Sequence, residues 1–506
     1  MKPMFNLRRC SAPTIVLTLC FLSAVRALGG SPSMLAARAR DPICKQISEA
    51  ISSASNVYYP LHPNYETAIS HWASSSSQRS DCAVWPGSAV DVAKILQIVA
   101  STRTPFAVRG GGHTANPGFS STTGVHIFMK RFSEVTYNSG DNTVVIGAGL
   151  NWDDVYAALE PHGVNVVGGR VTGVGVAGFT LGGGYSWKTN QYGLTVDTIT
   201  AFELVKPNGD IVTVTENSDP ELFFGLKGGG NNFGIVTKFT LKTHPQTQVW
   251  GGLMTFDAFK QERVAAAARK FFSEVTDPKA SIIAALNTLN VVVSLPIVSV
   301  TLFYDGPSPP PGIFDDFLAI SHLSKDIKPR SFVSVVQASP SNLTYGTRGA
   351  FHSVPILEYS EAVVKAILNE SKFWGPKLNL KSGIFISYSI EGFLPNAHAV
   401  SGKSIESAAY PPIRSKTHHP FFLYFAWTIA GNDAHIRDAI EQSARRITDV
   451  ARADGQDIDS GAIYPNYAPP GTPLEEMYDS NLGRLRALRA VVDPDRVMDL
   501  CGGWKF

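Results

Sequence analysis

Chemistry is most concentrated in the stretch Arg109-Gly110-Gly111-Gly112-His113-Thr114. Three glycines run from a short apolar strand, Phe106 to Val108, straight into a histidine. Glycine suits backbone that takes positive φ or presses against a ligand. Successive amides of this kind form a nest that holds an anion such as a pyrophosphate. Two further glycine clusters follow in the first half of the chain, at 173 to 184 and 228 to 234. One cluster alone is a turn. Three, interleaved with strands, imply backbone wrapped round a large polyanionic ligand, and a dinucleotide has that size.

Competing chemistries fit less well. Gly173-Val-Gly-Val-Ala-Gly178 satisfies G-x-G-x-x-G, and Asp197 follows about twenty residues on, as a nicotinamide fingerprint requires. The long helix that should follow is interrupted by Gly182, Gly183 and Gly184, each costing about 1 kcal/mol against alanine in a helix. The chain has no G-x-S-x-G elbow. It also lacks H-E-x-x-H and C-x-x-C, so no metal site is expected. His418 and His419 are adjacent and on a strand would face opposite ways; they read as a surface or pocket-wall pair.

The elements that position these loops can be placed from pattern. Ser88 and Asp91 form a capping-box signal, and Val92, Ile95, Leu96 and Val99 follow at helical spacing. Residues 143 to 148 are strand-like. The next helix starts at Asn151 as its cap, carries Asp153 and Asp154 in its first turn, and stops at Pro161 and Gly163. Ile199 to Val214 is a hairpin turning at Asn208-Gly209, and Ile235 to Leu241 is a strand. Near His244-Pro245 the composition changes. Strands at 291–304, 383–390 and 421–429 then alternate with helices at 358–374 and 434–453, and Asp433 reads as a helix cap. From about 461 the chain changes again, through Tyr464-Pro-Asn-Tyr467 and a Leu-rich helix.

At 506 residues one core is exceeded, so two domains are expected. A net charge of +2 with no basic run indicates neither nucleic acid nor an anionic membrane as partner. Lys2, Arg8 and Arg9, the apolar run Ala12 to Ala24, and small residues at Ala27 and Gly29 read as a secretory signal over 1–29. Its removal takes Cys10 and Cys20. In an oxidising compartment Cys44 and Cys82 pair, leaving Cys501 free and buried. Asn342-Leu-Thr and Asn369-Glu-Ser are glycosylation sequons.

The ordered set of Arg109 to Thr114, Gly169 to Tyr185, Gly228 to Val236 and Tyr464 to Tyr467 resembles the berberine-bridge-enzyme-like FAD-linked oxidases. The resemblance runs from about Tyr65 onward. It implies an α+β fold of the vanillyl-alcohol-oxidase type, with an FAD domain over 30–245 (its PCMH-type core about 78–246), a substrate domain inserted over 246–460, and 461–506 returning to the FAD domain. The implied cofactor contacts are Arg109, Gly110, Gly111, Gly112, His113, Thr114, Gly118, Gly173, Val174, Gly175, Gly178, Thr180, Gly183, Gly184, Tyr185, Gly234, Ile235, Val236 and Asn466. The resemblance further implies that His113 bonds the flavin 8α-methyl. Many members add a cysteine link; here Val171 stands at that position, so a single bond is expected. Val174 borders the oxygen approach, where a small residue goes with oxidases.

Oxidising an alcohol requires a group that takes the O–H proton. Tyr464 lies beside the flavin by resemblance, and Tyr424 or Tyr388 could face it from the substrate domain. The family's carboxylate base is not evident in Phe421 to Trp427. The expected function is a secreted, monomeric FAD oxidase. It would pass hydride from an alcohol, hemiacetal or amine carbon to the flavin and on to dioxygen. The substrate would be a carbohydrate or an aromatic or alkaloid-like metabolite, which Trp374 and Trp427 could stack upon. Alternatives are a dehydrogenase with another acceptor, or a flavin-bearing binding protein with weak catalysis.

Overall fold

The computed structural model describes residues 42–506 apart from 340 and 403. The expected leader, with Cys10 and Cys20, lies outside the described residues. The architecture is α+β, as expected. A four-stranded sheet has the order β1-β2-β4-β3, from β1 (Asn56–Tyr58), β2 (Cys82–Trp85), β3 (Phe106–Arg109) and β4 (Val125–Phe128). β4 runs parallel to both neighbours. The helix Ala89–Thr102 connects β2 to β3 and buries Val92, Ile95, Leu96 and Val99, the expected stripe.

That helix is capped differently from expectation. Ser88 accepts from the Asp91 amide, but the Asp91 carboxylate accepts from Ser52 and Ser55 instead of completing a capping box. The serines come from a loop 36 to 39 residues upstream, so local pattern does not reveal them. The helix Pro42–Ala50 is tied to β2 by the Cys44–Cys82 disulfide. Cys501 is free and buried.

A second, antiparallel sheet has the order β5-β6-β10-β8-β9. Its strands are β5 (Val135–Asn138), β6 (Thr143–Gly147), β8 (Ile199–Val205), β9 (Ile211–Thr215) and β10 (Ile235–Lys242). Gly209 supplies the left-handed turn of the β8–β9 hairpin, with φ 93°. A short pair, β7 (Val164–Asn165) and β11 (His244–Pro245), closes this half. The helix Trp152–Leu159 follows β6, and Asn151 occupies its cap position. Its side chain makes no capping bond; it is turned instead toward Gly111.

A third sheet of seven antiparallel strands has the order β15-β12-β14-β13-β17-β18-β16. Its members are β12 (Val249–Asp257), β13 (Ala280–Asn290), β14 (Ser294–Tyr304), β15 (Ser324–Arg330), β16 (Arg348–Ile356), β17 (Gly383–Glu391) and β18 (His419–Trp427). The strand expected at 291–304 begins at Ser294, because Val291 to Val293 form the turn before it. Strand β13 was not anticipated; its three alanines and two asparagines lower its strand preference, and pairing with β14 and β17 holds it in place. Helices Gln261–Glu274, Glu361–Lys377 and Asp433–Ala453 cover one face. Ile282, Ala284 and Leu286 pack there with Val363, Ile367 and Ile440. Trp374 and Trp427 belong to this core and bond Glu370 and Asp433. Asp433 itself begins its helix and pairs with Arg348.

A separate apolar core unites the two smaller sheets with residues 393–410 and 464–501. Residues 501–505 lock onto the third glycine loop. Asn231 Nδ2 donates to Cys501 Sγ and Gly502 O, Lys505 Nζ donates to Asn231 Oδ1, and Asn232 Nδ2 donates to Trp504 O.

Candidate active site

The open face of the seven-stranded sheet and the glycine loops enclose a cavity of about 610 Å³, in the range of ligand sites. One wall is backbone. A Cβ on Gly111 would stand 2.6 Å from Gly175 Cα, and one on Gly175 would stand 2.5 Å from Gly111 N. The two loops therefore touch only because both residues are glycine. Gly182 is pressed in the same way against Asn466, 2.3 Å from an added Cβ.

The cavity brings together most of the residues expected at the cofactor. Gly110, Gly111, Gly112, His113 and Thr114 line it, with Val174, Gly175, Gly178, Tyr185, Gly234, Ile235, Val236 and Asn466. Tyr424 and Tyr464 line it too. Six expected contacts do not. The Arg109 guanidinium turns away to the Thr67 and Ala68 carbonyls, at 2.6 and 2.7 Å, and covers the Phe128 ring. Gly118 takes φ 80° to make a turn, and Gly502 packs on its carbonyl. Gly173, at φ 83°, donates its amide to Asp153. Thr180 is buried within the helix Val176–Leu181. Gly183 and Gly184 have φ 117° and 88° and shape the loop behind the wall. That six-residue helix breaks at Gly182, so the nicotinamide fingerprint lacks its helix.

His113 is stacked on Trp72, with centroids 4.5 Å apart and planes within 12°. Trp72 is pinned by its own amide, which donates to Gly112 O. The His113 Nε2 is buried and has no hydrogen-bond partner among the described residues. Burial holds the imidazole pKa down to about 4, so the ring is neutral. Val171 lines the cavity as well. A flavin dinucleotide fits this wall: a glycine cradle without side chains, and an orphaned imidazole at its end.

Tyr464 is 2% exposed. Its hydroxyl accepts from Gly184 N at 3.2 Å and Asn466 Nδ2 at 2.8 Å. Burial, outweighing those bonds, pushes its pKa up to about 12. Tyr424 is also pushed up by burial. Tyr388 lies on the opposite face, its hydroxyl bonded to Ser443 and the Glu370 carbonyl, and takes no part.

The group that sequence reasoning missed is Glu391, the last residue of β17. It is wholly buried and lines the cavity. Its carboxylate lies 2.5 Å from the Arg170 guanidinium, which also donates to the Tyr467 hydroxyl at 3.2 Å. Burial pushes the Glu391 carboxyl up, against the pull of Arg170. The available signal was a carboxylate closing an otherwise uncharged strand, Gly383 to Glu391. His418 and His419 are buried, not on the surface. His418 Nε2 bonds the Asp457 carbonyl, and His419 accepts from the Phe393 amide while stacking on Tyr359. Among the described residues no cluster of three or more metal-ligating side chains occurs.

Residues 80–215 match the FAD binding domain family. An FAD-linked oxidoreductase of Arthroderma benhamiae is 36% identical over 336 residues, covering 65% of this chain and 66% of the relative. The FAD-dependent monooxygenase drtC of Aspergillus calidoustus is 29% identical over 454 residues, covering 86% and 85%. The chain is an FAD-linked oxidoreductase. Among solved structures, 6-hydroxy-D-nicotine oxidase of Arthrobacter nicotinovorans superposes with TM-score 0.74 at 20% identity, covering 89% of this chain and 98% of that one. Berberine-bridge-enzyme-like 1 of Physcomitrella patens gives 0.71 at 20%, covering 90% and 97%. The fold of this FAD-linked oxidoreductase is thus the berberine-bridge-enzyme-like, PCMH-type fold.

Proposed function

We propose that this oxidoreductase is a secreted, monomeric oxidase whose FAD is bonded to His113 alone. Its substrate would be a small molecule with an oxidisable alcohol, hemiacetal or amine carbon. The observation that carries the reading is one cavity with a glycine cradle and an orphaned His113 on one wall and a buried carboxylate, Glu391, on the other. Bound FAD would supply a two-electron acceptor for hydride from the substrate carbon, with dioxygen as the final acceptor and hydrogen peroxide as the product.

The chain's own residues do the rest. Glu391 accepts the substrate proton at a carboxylate oxygen; its raised pKa suits a general base better than the Tyr464 phenol. Arg170 holds that carboxylate in place. Tyr464 and Asn466 brace the end of the cradle. Trp72 fixes the His113 ring plane. Val174 leaves a small side chain beside the cradle, which by the family pattern supports dioxygen as acceptor. The Cys44–Cys82 disulfide fits an oxidising compartment.

Anaerobic mixing with substrate panels, followed by air, tests the reading. Fast recolouring with one peroxide per substrate supports an oxidase. Recolouring over minutes points to another acceptor. Oxygen uptake without peroxide points to the monooxygenase activity in the names of the fungal relatives. A fully flavinylated protein that no substrate bleaches would favour a binding role.

A further inference from the structure

We propose that the cavity continues outward as an apolar channel along the β13–β14 hairpin, and that it takes a substrate with an alkyl or polyene tail whose oxidisable head sits at Glu391. The inference deepens the oxidase reading and rests on it for the fate of the head alone.

Strand register sets the direction. Glu391 pairs with Ile283, Ser387 with Asn287, and Phe385 with Leu289. Across the other edge Ile297 faces Asn287, and Leu295 faces Leu289. The residues of β13 alternate, with Ile283, Asn287 and Leu289 on the cavity side and their neighbours buried against the helices. From Ile283 to Leu289 is about 20 Å at strand rise. The ion pair therefore stands at one end of a long floor. At the other end the floor is Leu289, Leu295, Ile297 and Phe385.

The polar groups in the middle of the floor are paired with one another. Asn287 Nδ2 donates to Ser299 Oγ at 2.9 Å, and Ser387 Oγ donates to Asn287 Oδ1 at 2.8 Å. Two further hydroxyls on the floor, Ser389 and Thr301, stand at the Glu391 end, where the head would lie. A hydrocarbon chain loses nothing by lying on the paired groups.

The floor does not end where the cavity does. Leu295 is 47% exposed, and Val291, Val292 and Val293 at the turn are 67%, 89% and 61% exposed. Hairpin turns favour Asn, Asp and Gly. Three valines there leave an apolar surface in water, and such surface marks a binding contact. Its continuity with Leu289 and Ile297 assigns it to the tail of the cavity's own ligand.

The test uses holoenzyme and 4-alkylbenzamides from methyl to octyl, which are neutral and carry no oxidisable head, with binding read from the flavin visible spectrum. The expected result is a Kd that falls about fourfold per buried methylene. Leu295→Asp and Val293→Asp, both at exposed sites, should flatten that dependence for the longer members and leave the methyl member unchanged. A Kd independent of chain length, an unchanged slope in both variants, no binding anywhere in the series, or tighter binding of xylobiose than of the octyl member would each overturn the proposal. Peroxide release is measured separately. Rising affinity on a protein that never releases peroxide keeps the channel and removes the oxidase reading.

Discussion

The Arg170 guanidinium lies 2.5 Å from the Glu391 carboxylate, and both side chains are almost wholly buried. The two residues come from different sheets' neighbourhoods, Arg170 from a loop of the cradle and Glu391 from the end of β17. Their contact joins the cofactor wall to the substrate wall. Glu391→Gln keeps the shape and removes the proton acceptor. We expect kcat to fall at least about 10²-fold, with a loss of about 3–5 kcal/mol of stability because the buried Arg170 charge is left unpaired. Arg170→Met should cost less stability, because burial already pushes the Glu391 carboxyl up and it can take a proton when left alone. Steady-state kinetics beside denaturant titration separates the two; equal kcat in Glu391→Gln and the parent would remove Glu391 from the chemistry.

His113→Ala should release all flavin on acid precipitation, whereas the parent stays yellow. Val171 also lines the cavity. The double variant His113→Ala with Val171→Cys should recover part of the acid-stable colour through a new thioether. Colour retained by His113→Ala alone would show that another residue holds the flavin.

The pH dependence of attachment follows from the buried imidazole. Its pKa is lowered from 6.5 to about 4, so the folded protein keeps the ring neutral well below the point at which a free histidine charges. The neutral ring's share of stability is complete above 6.5 and is lost as pH falls toward 4. Incubating apoprotein with FAD should give the same attachment rate from about pH 8 to about pH 5. A fall centred near the free-histidine value would contradict the burial argument.

Gly111→Ala should prevent the two cradle loops from closing, since its Cβ would stand 2.6 Å from Gly175 Cα. Loss of flavin binding together with lowered stability is expected. Gly178→Ala is the control. An added Cβ there meets nothing within 4 Å in the protein, and alanine favours the helix by about 1 kcal/mol. Its apoprotein should fold as well as the parent, as measured by thermal unfolding.

Cys44→Ser opens a loop with a sequence separation of 38 residues. Chain entropy puts the loss at about 3–4 kcal/mol. The network of Ser52 with the buried Ser55 and Asp91 lies close in sequence to that link. Chemical denaturation should show the drop without a change in flavin spectrum.

What could be read from residue order differs by element. The cradle was legible because glycine has few other reasons to cluster three times beside strands. The helix at 89–102 was legible because its buried stripe keeps strict spacing. Glu391 was not, since its importance comes from Arg170, which reaches it across the fold. Arg109 misled for the converse reason: it sits inside the motif, yet its side chain finds two carbonyls on the far side of β3. Strand β13 was hidden because its neighbours, and not its own residues, enforce extended backbone. Trp72 had no signal at all, lying in a stretch without period.

The pinning of Asn231 and Asn232 by residues 501–505 has a consequence for biogenesis. The loop at 228–234 emerges from the ribosome some 270 residues ahead of the partners that fix it. Until those partners arrive, one side of the cradle has nothing to set its shape. That side of the cradle therefore takes its final shape only once residues 501–505 have been made.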